Sequence, residues 1–252
     1  MISIKSLKEL SLMREAGRIV ARVIEELASM VKEGISTYEL GERAEEIFEQ
    51  FGAISAFKNY RGFPGVICTS VNEELIHGIP RREKVLREGD ILSLDVGVKY
   101  NGFFADAAVT IGLGKISVEA AKLIETTRNA LYTGIRLAKS EVHLGDVSHA
   151  IQQYVEEHGF SVVREFVGHG IGSGMHEEPE IPNFGEPGYG PILKKGMTIA
   201  IEPMVNLGRP EVEILSDGWT VVSKDRKLTA HFEHTICIDD REPIILTSHH
   251  LS

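Results

Sequence analysis

The sequence predicts an α/β (α+β) protein built from two similar helix-helix-strand halves. Long stretches with apolar residues at helical spacing alternate with short, nearly continuous apolar runs of strand character. The second half echoes the first at one fixed offset: Glu-Gly-Asp-Ile-Leu-Ser-Leu-Asp at 88–95 lines up with Lys-Gly-Met-Thr-Ile-Ala-Ile-Glu at 195–202, each position 107 residues after its counterpart. A chain of 252 residues that is 42% apolar and 25% charged has room for one sizeable core, so residues 1–252 are expected to form a single domain with two internally related halves.

The elements follow in order. From Lys8 to Gly52, Leu12, Ala16, Ile19, Val20, Val23, Ile24 and Leu27 fall on one helical face, and Leu40, Ala44, Ile47, Phe48 and Phe51 on another. The break at Gly34-Ile35-Ser36 separates two helices, with Ser36 or Thr37 as the cap of the second. A Gly/Pro-rich loop at Tyr60–Pro64 leads into strands at Gly65–Ser70 and Ile91–Val98. Val118–Gly159 is helical again with a break near Ser140, and strands resume at Thr198–Val205, Trp219–Val222 and Ala230–Ile238. The 107-residue offset also carries Gly52 onto Gly159, and Leu40 and Ile47 onto Val147 and Tyr154. A site is expected where the halves meet.

Charge and cysteine content narrow the function classes. A net charge of −10 leaves no footprint for the phosphate backbone of DNA, and the one basic cluster, Arg81, Arg82, Lys84 and Arg87, reads as a solvated loop face. Two cysteines, Cys68 and Cys237, build no disulfide scaffold, and MISIKSLKEL lacks the layout of a secretory signal, so a cytoplasmic location is expected. No apolar run approaches the ~20 residues that span a bilayer, so no membrane role is expected.

The chemistry concentrates in buried carboxylates. Asp95 lies within Ile-Leu-Ser-Leu-Asp-Val-Gly-Val and Glu202 within Ile-Ala-Ile-Glu-Pro-Met-Val, both apolar enough to be interior, where an ionised carboxylate needs a partner. Tyr100-Asn101-Gly102-Phe103 is a two-residue hairpin turn; if Tyr100 faces Phe103, Asp106 faces Gly97 and Ala108 faces Asp95. Asp106 is then the diagonal neighbour of Asp95, about 7 Å away on the same face. A cation between them converts repulsion into attraction, and among nearby basic residues the strands offer only Lys99. His169 in Val-Gly-His-Gly-Ile-Gly and Glu233 in Ala-His-Phe-Glu-His-Thr extend the set, although Glu233 also has His231 and His234 as candidate partners. Four carboxylates and one imidazole are too hard for a structural zinc site and suit two divalent ions, with Mn, Fe(II), Co or Zn all acceptable. Such a centre activates water for hydrolysis, which further requires donors for an oxyanion and a proton carrier. His77 in Ile-His-Gly-Ile-Pro and His176 in Gly-Met-His-Glu-Glu-Pro sit in loops suited to those tasks.

The order of these motifs resembles the methionine aminopeptidases of type I, the short bacterial form of the pita-bread metallopeptidases, over essentially the whole chain. The resemblance rests on Met13-Arg14-Glu15-Ala16-Gly17, on Ser70-Val71-Asn72-Glu73-Glu74 running into His77-Gly78-Ile79-Pro80, on Asp95-Val96-Gly97 with Asp106, on Gly168-His169-Gly170-Ile171-Gly172, on Ala200-Ile201-Glu202-Pro203-Met204 and on His231-Phe232-Glu233-His234-Thr235. It implies a pita-bread fold with pseudo-twofold halves and a curved antiparallel sheet backed by helices. Asp95, Asp106, His169, Glu202 and Glu233 match the family's metal ligands, Asp106 and Glu233 its bridging carboxylates, and Glu202 also its base. His77 matches the histidine near the scissile amide and His176 the one that binds the substrate carbonyl. Tyr60, Phe63, Cys68 and Trp219 fall where the family lines its apolar methionine pocket. The implied activity is removal of the initiator methionine from nascent proteins whose second residue is small. The implied partners are the N-terminal peptide and, transiently, the ribosome, and the implied oligomeric state is a monomer.

Two departures stand out. Met175 replaces the aromatic or Leu residue that relatives often carry before His176, which softens the pocket wall, and Ser140-Glu141 replaces a usual Pro-Gly at a helix break. Cys68 near a histidine also admits a Cys-His nucleophile. Proline-specific relatives usually carry an extra N-terminal domain, type II enzymes carry an insertion for which the 25 residues between His176 and Glu202 leave no space, and a non-catalytic binding module would show decayed ligand positions.

Overall fold

The computed structural model describes residues 2–251. Four helices form where the apolar periodicity places them: α1 Leu7–Met30, α2 Thr37–Gln50, α3 Val118–Leu137 and α4 Leu144–Glu157. Ser6 with Glu9 and Ser36 with Glu39 close reciprocal capping boxes at the starts of α1 and α2, satisfying amides that the first turn leaves free. Ser117 caps α3, so the choice between Ser36 and Thr37 and the later helix start both resolve to a serine. On α3, Gly134 allows close packing against α4, since a Cβ there would sit 2.7 Å from Ile151 Cδ1.

Fifteen short strands are described: β1 Ile54–Ser55, β2 Cys68–Val71, β3 Glu74–Ile76, β4 Ile91–Tyr100, β5 Phe103–Gly112, β6 Ser161–Val162, β7 Gly168–Gly170, β8 Glu177–Ile181, β9 Thr198–Ile201, β10 Met204–Asn206, β11 Val212–Ile214, β12 Val221–Ser223, β13 Thr229–His231, β14 Glu233–Cys237 and β15 Ile244–Ile245. The main antiparallel sheet runs β1-β4-β5-β14-β9-β7-β8, with β2 also on β4 and β15 also on β14. Along β4, Leu92, Leu94, Val96 and Val98 point into the core shared with α1, α2, α3 and α4. Ser93 and Asp95 alternate with them and face the other way. Each fully buried Leu or Ile contributes ~1.5–3 kcal/mol, so this helix-backed face is what holds the sheet rigid beneath the polar one.

The β4-β5 hairpin has the expected register: Tyr100 faces Phe103, Gly97 faces Asp106 and Asp95 faces Ala108. Two expected strands are each divided. Thr198–Val205 becomes β9 and β10, and Ala230–Ile238 becomes β13 and β14, with the breaks at Glu202-Pro203 and Phe232. Pro203 has no N–H to give a ladder, so the chain bends there. Both segments leave the main sheet together for a three-stranded sheet β13-β10-β6. The register survives the bend: His234 faces Ile201 on one side and His231 faces Met204 on the other. Glu202 and Glu233 therefore oppose one another at the corner.

The 107-residue offset recurs in the coordinates. The bounds of α2 map onto those of α4 and those of β1 onto β6. The pair Ile54–Lys99 maps onto Ser161–Asn206, and the bridge Ser36–Val85 onto His143–Ile192. Three of the four residues of the basic cluster are in ion pairs: Arg81 with Asp217, Arg82 with Glu42 and Lys84 with Glu74.

Candidate metal centre

Sheet register alone gathers the acidic groups. Ala108 of β5 is flanked by Asp95 on β4 and by Glu233 on β14, and Asp106 lies two residues along β5, so the three carboxylates share one face. His169 on β7 faces Ala200, which in turn faces Thr235 of β14, and this places the imidazole on the same face. Glu202 reaches it from the corner opposite Glu233. Asp106, His169 and Glu233 each offer a ligand atom within 4.8 Å of the others. His169 Nε2 lies 3.4 Å from Asp106 Oδ2 and 3.6 Å from Glu202 Oε1.

Local hydrogen bonds aim these groups. His169 Nδ1–H donates to the Gly170 carbonyl at 2.9 Å, which fixes the ring with Nε2 facing the carboxylates. Thr235 Oγ1 accepts from the Asp106 N–H at 3.0 Å and stands 2.8 Å from Asp106 Oδ1, to which its proton can be given. Asp95 Oδ1 is buried and makes no hydrogen bond.

The electrostatics are those of a cluster short of positive charge. Burial, with Asp106 and Glu202 adding, pushes Asp95 up to about 7. Burial and the same neighbours push Glu233 well above the carboxylate range. For His169 burial acts downward, but Asp106 and Glu202 together outweigh it and hold the imidazole up at about 9. Without a cation the cluster takes up protons instead. An orphaned buried oxygen, crowded carboxylates and an imidazole with Nε2 turned inward fit a divalent metal that would displace the protons, and among the described residues Arg61 is the only Lys or Arg lining the cavity.

That cavity holds about 180 Å3. Tyr60, Phe63, Cys68, His77, Asp95, Asp106, His169, His176, Glu202, Trp219 and Glu233, the full set singled out in the sequence, all line it. Phe63 and Trp219 meet edge to face at 5.2 Å and form an aromatic wall. His176 Nδ1 lies 2.8 Å from the Tyr60 hydroxyl, and its ring sits 4.3 Å from that of His169. Burial takes both His77 and His176 down to about 4, with neighbouring imidazoles adding, so each is neutral at pH 7. The Cys68 thiol is pushed well up, by burial first and then by Asp95, so it is not a thiolate and the Cys-His nucleophile falls away.

Some residues escaped sequence reasoning. Phe57 and Arg61 also line the cavity, and so does Met175, the departure noted above. Thr235 could have been found by the strand period, two residues beyond Glu233 on the same face. His231 is buried 3.6 Å from Glu202 Oε2 with neither ring nitrogen hydrogen-bonded; it does not pair with Glu233, and His234 instead turns to Tyr132 and Thr247 on the opposite face.

Residues 11–240 match the model of metallopeptidase family M24. The chain belongs to that family. It is 54% identical over 247 residues to methionine aminopeptidase 1 of Bacillus subtilis, covering 98% of this chain and 99% of the relative. It superposes with a TM-score of 0.98 on the crystal structure of a methionine aminopeptidase from Thermotoga maritima, 45% identical and covering 99% of this chain and all of that one. A Xaa-Pro dipeptidase from Bacillus anthracis shares the fold with a TM-score of 0.79 at 23% identity, and the chain spans only 62% of its length. The fold is the pita-bread fold of these metallopeptidases. Among the described residues no helix is long and apolar enough to cross a membrane.

Proposed function

We propose that this cavity removes the initiator methionine from nascent proteins whose second residue is small. The protein is a metal-dependent aminopeptidase. The observation that carries the reading is the convergence of Asp95, Asp106, His169, Glu202 and Glu233 on one face of the sheet, beside an aromatic-walled cavity, in a chain that resembles methionine aminopeptidases from end to end.

Those five side chains would hold two divalent ions, Co, Mn, Fe(II) or Zn, with Asp106 and Glu233 as bridges. Ions held by these residues would supply an acidified water and polarisation of the amide under attack. Glu202, at the corner of the sheet and open to the cavity, accepts the water proton. His176, neutral and held by Tyr60 through Nδ1, turns Nε2–H toward the oxygen that gains charge as the carbonyl becomes tetrahedral. His77 stands across the cavity, near Trp219 and Phe166, where it meets the scissile amide. Tyr60, Phe63, Cys68 and Trp219 enclose the methionine side chain, whose unbranched, polarizable thioether suits aromatic walls. The substrate's second side chain lies beside the crowded acidic cluster, so only small ones fit.

Residues 1–252 act as one catalytic domain of two internally related halves, a cytoplasmic monomer whose substrate is the exposed N-terminal peptide of a new chain, with transient ribosome contact. The deciding experiment is release of free methionine from Met-Ala-Ser and from Met-Leu-Ser, after chelation and after re-addition of each metal. The reading expects cleavage of the first peptide only, and only with metal. Cleavage of Xaa-Pro peptides in its place, or metal binding without any turnover, overturns it.

A further inference from the structure

The short turn that carries His176 is tied to the beginning of the chain. Lys5 precedes α1, yet its side chain is only 4% exposed, and its ammonium lies 2.6 Å from Glu177 Oε2. The other Glu177 oxygen accepts from the Gly174 N–H at 2.9 Å and from Ser173 Oγ at 3.4 Å. One carboxylate thus closes the turn 172–177 on itself and joins it to a residue about 170 positions away. The space is fully used: a Cβ on Gly172 would sit 2.4 Å from Lys5 Cε and 2.8 Å from Glu177 Oε1. At the other end the Lys5 N–H donates to the Gly196 carbonyl at 2.8 Å, beside the start of β9.

A long ammonium side chain loses much rotamer freedom and hydration when buried, so a lysine held this way is costly unless its partner geometry is good. Surface ion pairs elsewhere on this molecule, such as Arg18–Glu15, carry no such constraint. The turn that Lys5 holds bears Met175, a wall of the cavity, and His176, while Glu177 itself pairs with Gly170 next to His169. From this juxtaposition we infer that Lys5 and Glu177 are positioning residues: the buried pair clamps the 172–177 turn so that His176 holds the orientation in which it meets the reacting carbonyl. The proposal deepens the aminopeptidase reading and rests on it for the turnover arm of the test.

The test has two arms. In the first, kcat and KM for Met-Ala-Ser are measured for Lys5→Met, Glu177→Gln and the double variant, which leaves no unpaired buried charge, each with and without His176→Ala. The clamp predicts kcat lower on the order of 10- to 100-fold with KM little changed, because a small misplacement of a catalytic group costs that much. It also predicts that the loss disappears in the His176→Ala background and that Lys5→Arg recovers part of it. Losses that persist undiminished without His176, or no loss in the double variant, overturn it. In the second arm the metal-free protein carries 13C-labelled histidine rings, with the His176 signal assigned by its absence in His176→Ala. One sharp signal is expected in the native protein, and a broadened or multiple signal in the double variant. An unchanged sharp signal in a double variant that still melts cooperatively overturns the clamp. If native protein releases no methionine at all, the aminopeptidase reading fails while this second arm still decides the clamp.

Discussion

Glu233 and His234 are neighbours on one strand, both buried, and the pleat sends them to opposite faces with opposite consequences. On the helix-backed side, His234 is fully provided for: Nε2 meets the Tyr132 hydroxyl at 2.9 Å and Nδ1 meets Thr247 Oγ1 at 2.9 Å. Burial takes it down to about 3, so it stays neutral. On the cavity side, Glu233 sits among Asp106, Glu202 and Asp95 and is pushed well up. The satisfied residue behaves as structure, and the crowded one as half of a binding site that needs a cation. The contrast shows why burial alone did not separate the two; partner supply did.

The largest effect expected from breaking the contrast is at the acidic face. Glu233→Ala or Asp106→Ala should reduce methionine release from Met-Ala-Ser to background, measured on protein whose metal content is known. The metal-free form of Glu233→Gln should melt no lower than metal-free native protein, because burial and the acidic neighbours already favour the neutral form of Glu233, which an amide supplies at any pH. Next in size is His176→Ala, for which kcat should fall on the order of 10²–10³-fold with KM nearly constant, the pattern of a group that acts mainly on the transition state. A change confined to KM in steady-state assays would contradict that role.

Much of this contrast was legible in the sequence, and the limits have physical causes. The hairpin turn at Asn101-Gly102 set the β4-β5 register, and from it the pairing of Asp95 with Asp106 on one face. The start of α2 could be placed because Ser36 is a capping residue type just before the apolar periodicity, whereas the caps Ser6 and Ser117 of α1 and α3 emerge only in the structure. At Glu202-Pro203 the sequence predicts one strand where the structure has a corner, since a bend between two sheets leaves a nearly continuous apolar run on each flank. Lys5 gave no signal at all: a lysine near the start of a chain looks like a solvated charge until the fold brings Glu177 to it. The roles of His231 and His234 were equally hidden, because which neighbour satisfies an imidazole depends on elements far away in sequence.

A smaller effect sharpens the comparison from the other face. His234→Phe should cost ~1–3 kcal/mol of stability, as the Tyr132 hydroxyl and Thr247 lose a partner, while kcat at low temperature stays near native. Differential denaturant melts checked against turnover would show it. Loss of metal binding there would mean that the two faces are not separable.

The finest distinction is in pH. His234 sits at about 3 when folded, against ~6.5 for an exposed imidazole. The unfolded chain therefore binds more protons between those values, and the contribution of His234 is full above about pH 6.5 and lost as pH falls toward 3. His169 in the metal-free protein runs the other way, held up at about 9, so its contribution is full below about pH 6.5 and lost as pH rises through 9. Thermal melts of metal-free protein should decline on both limbs, with His234→Phe flattening only the acid limb and His169→Gln only the alkaline one.

The account stands or falls on divalent metal held by the acidic face. Calorimetric titration of Mn2+ into chelator-stripped protein, with methionine release from Met-Ala-Ser followed on the same samples, measures it directly. Binding and turnover should rise together, and both should vanish in Glu233→Ala. Full turnover by stripped protein, or undiminished Mn2+ binding in Glu233→Ala, would contradict it.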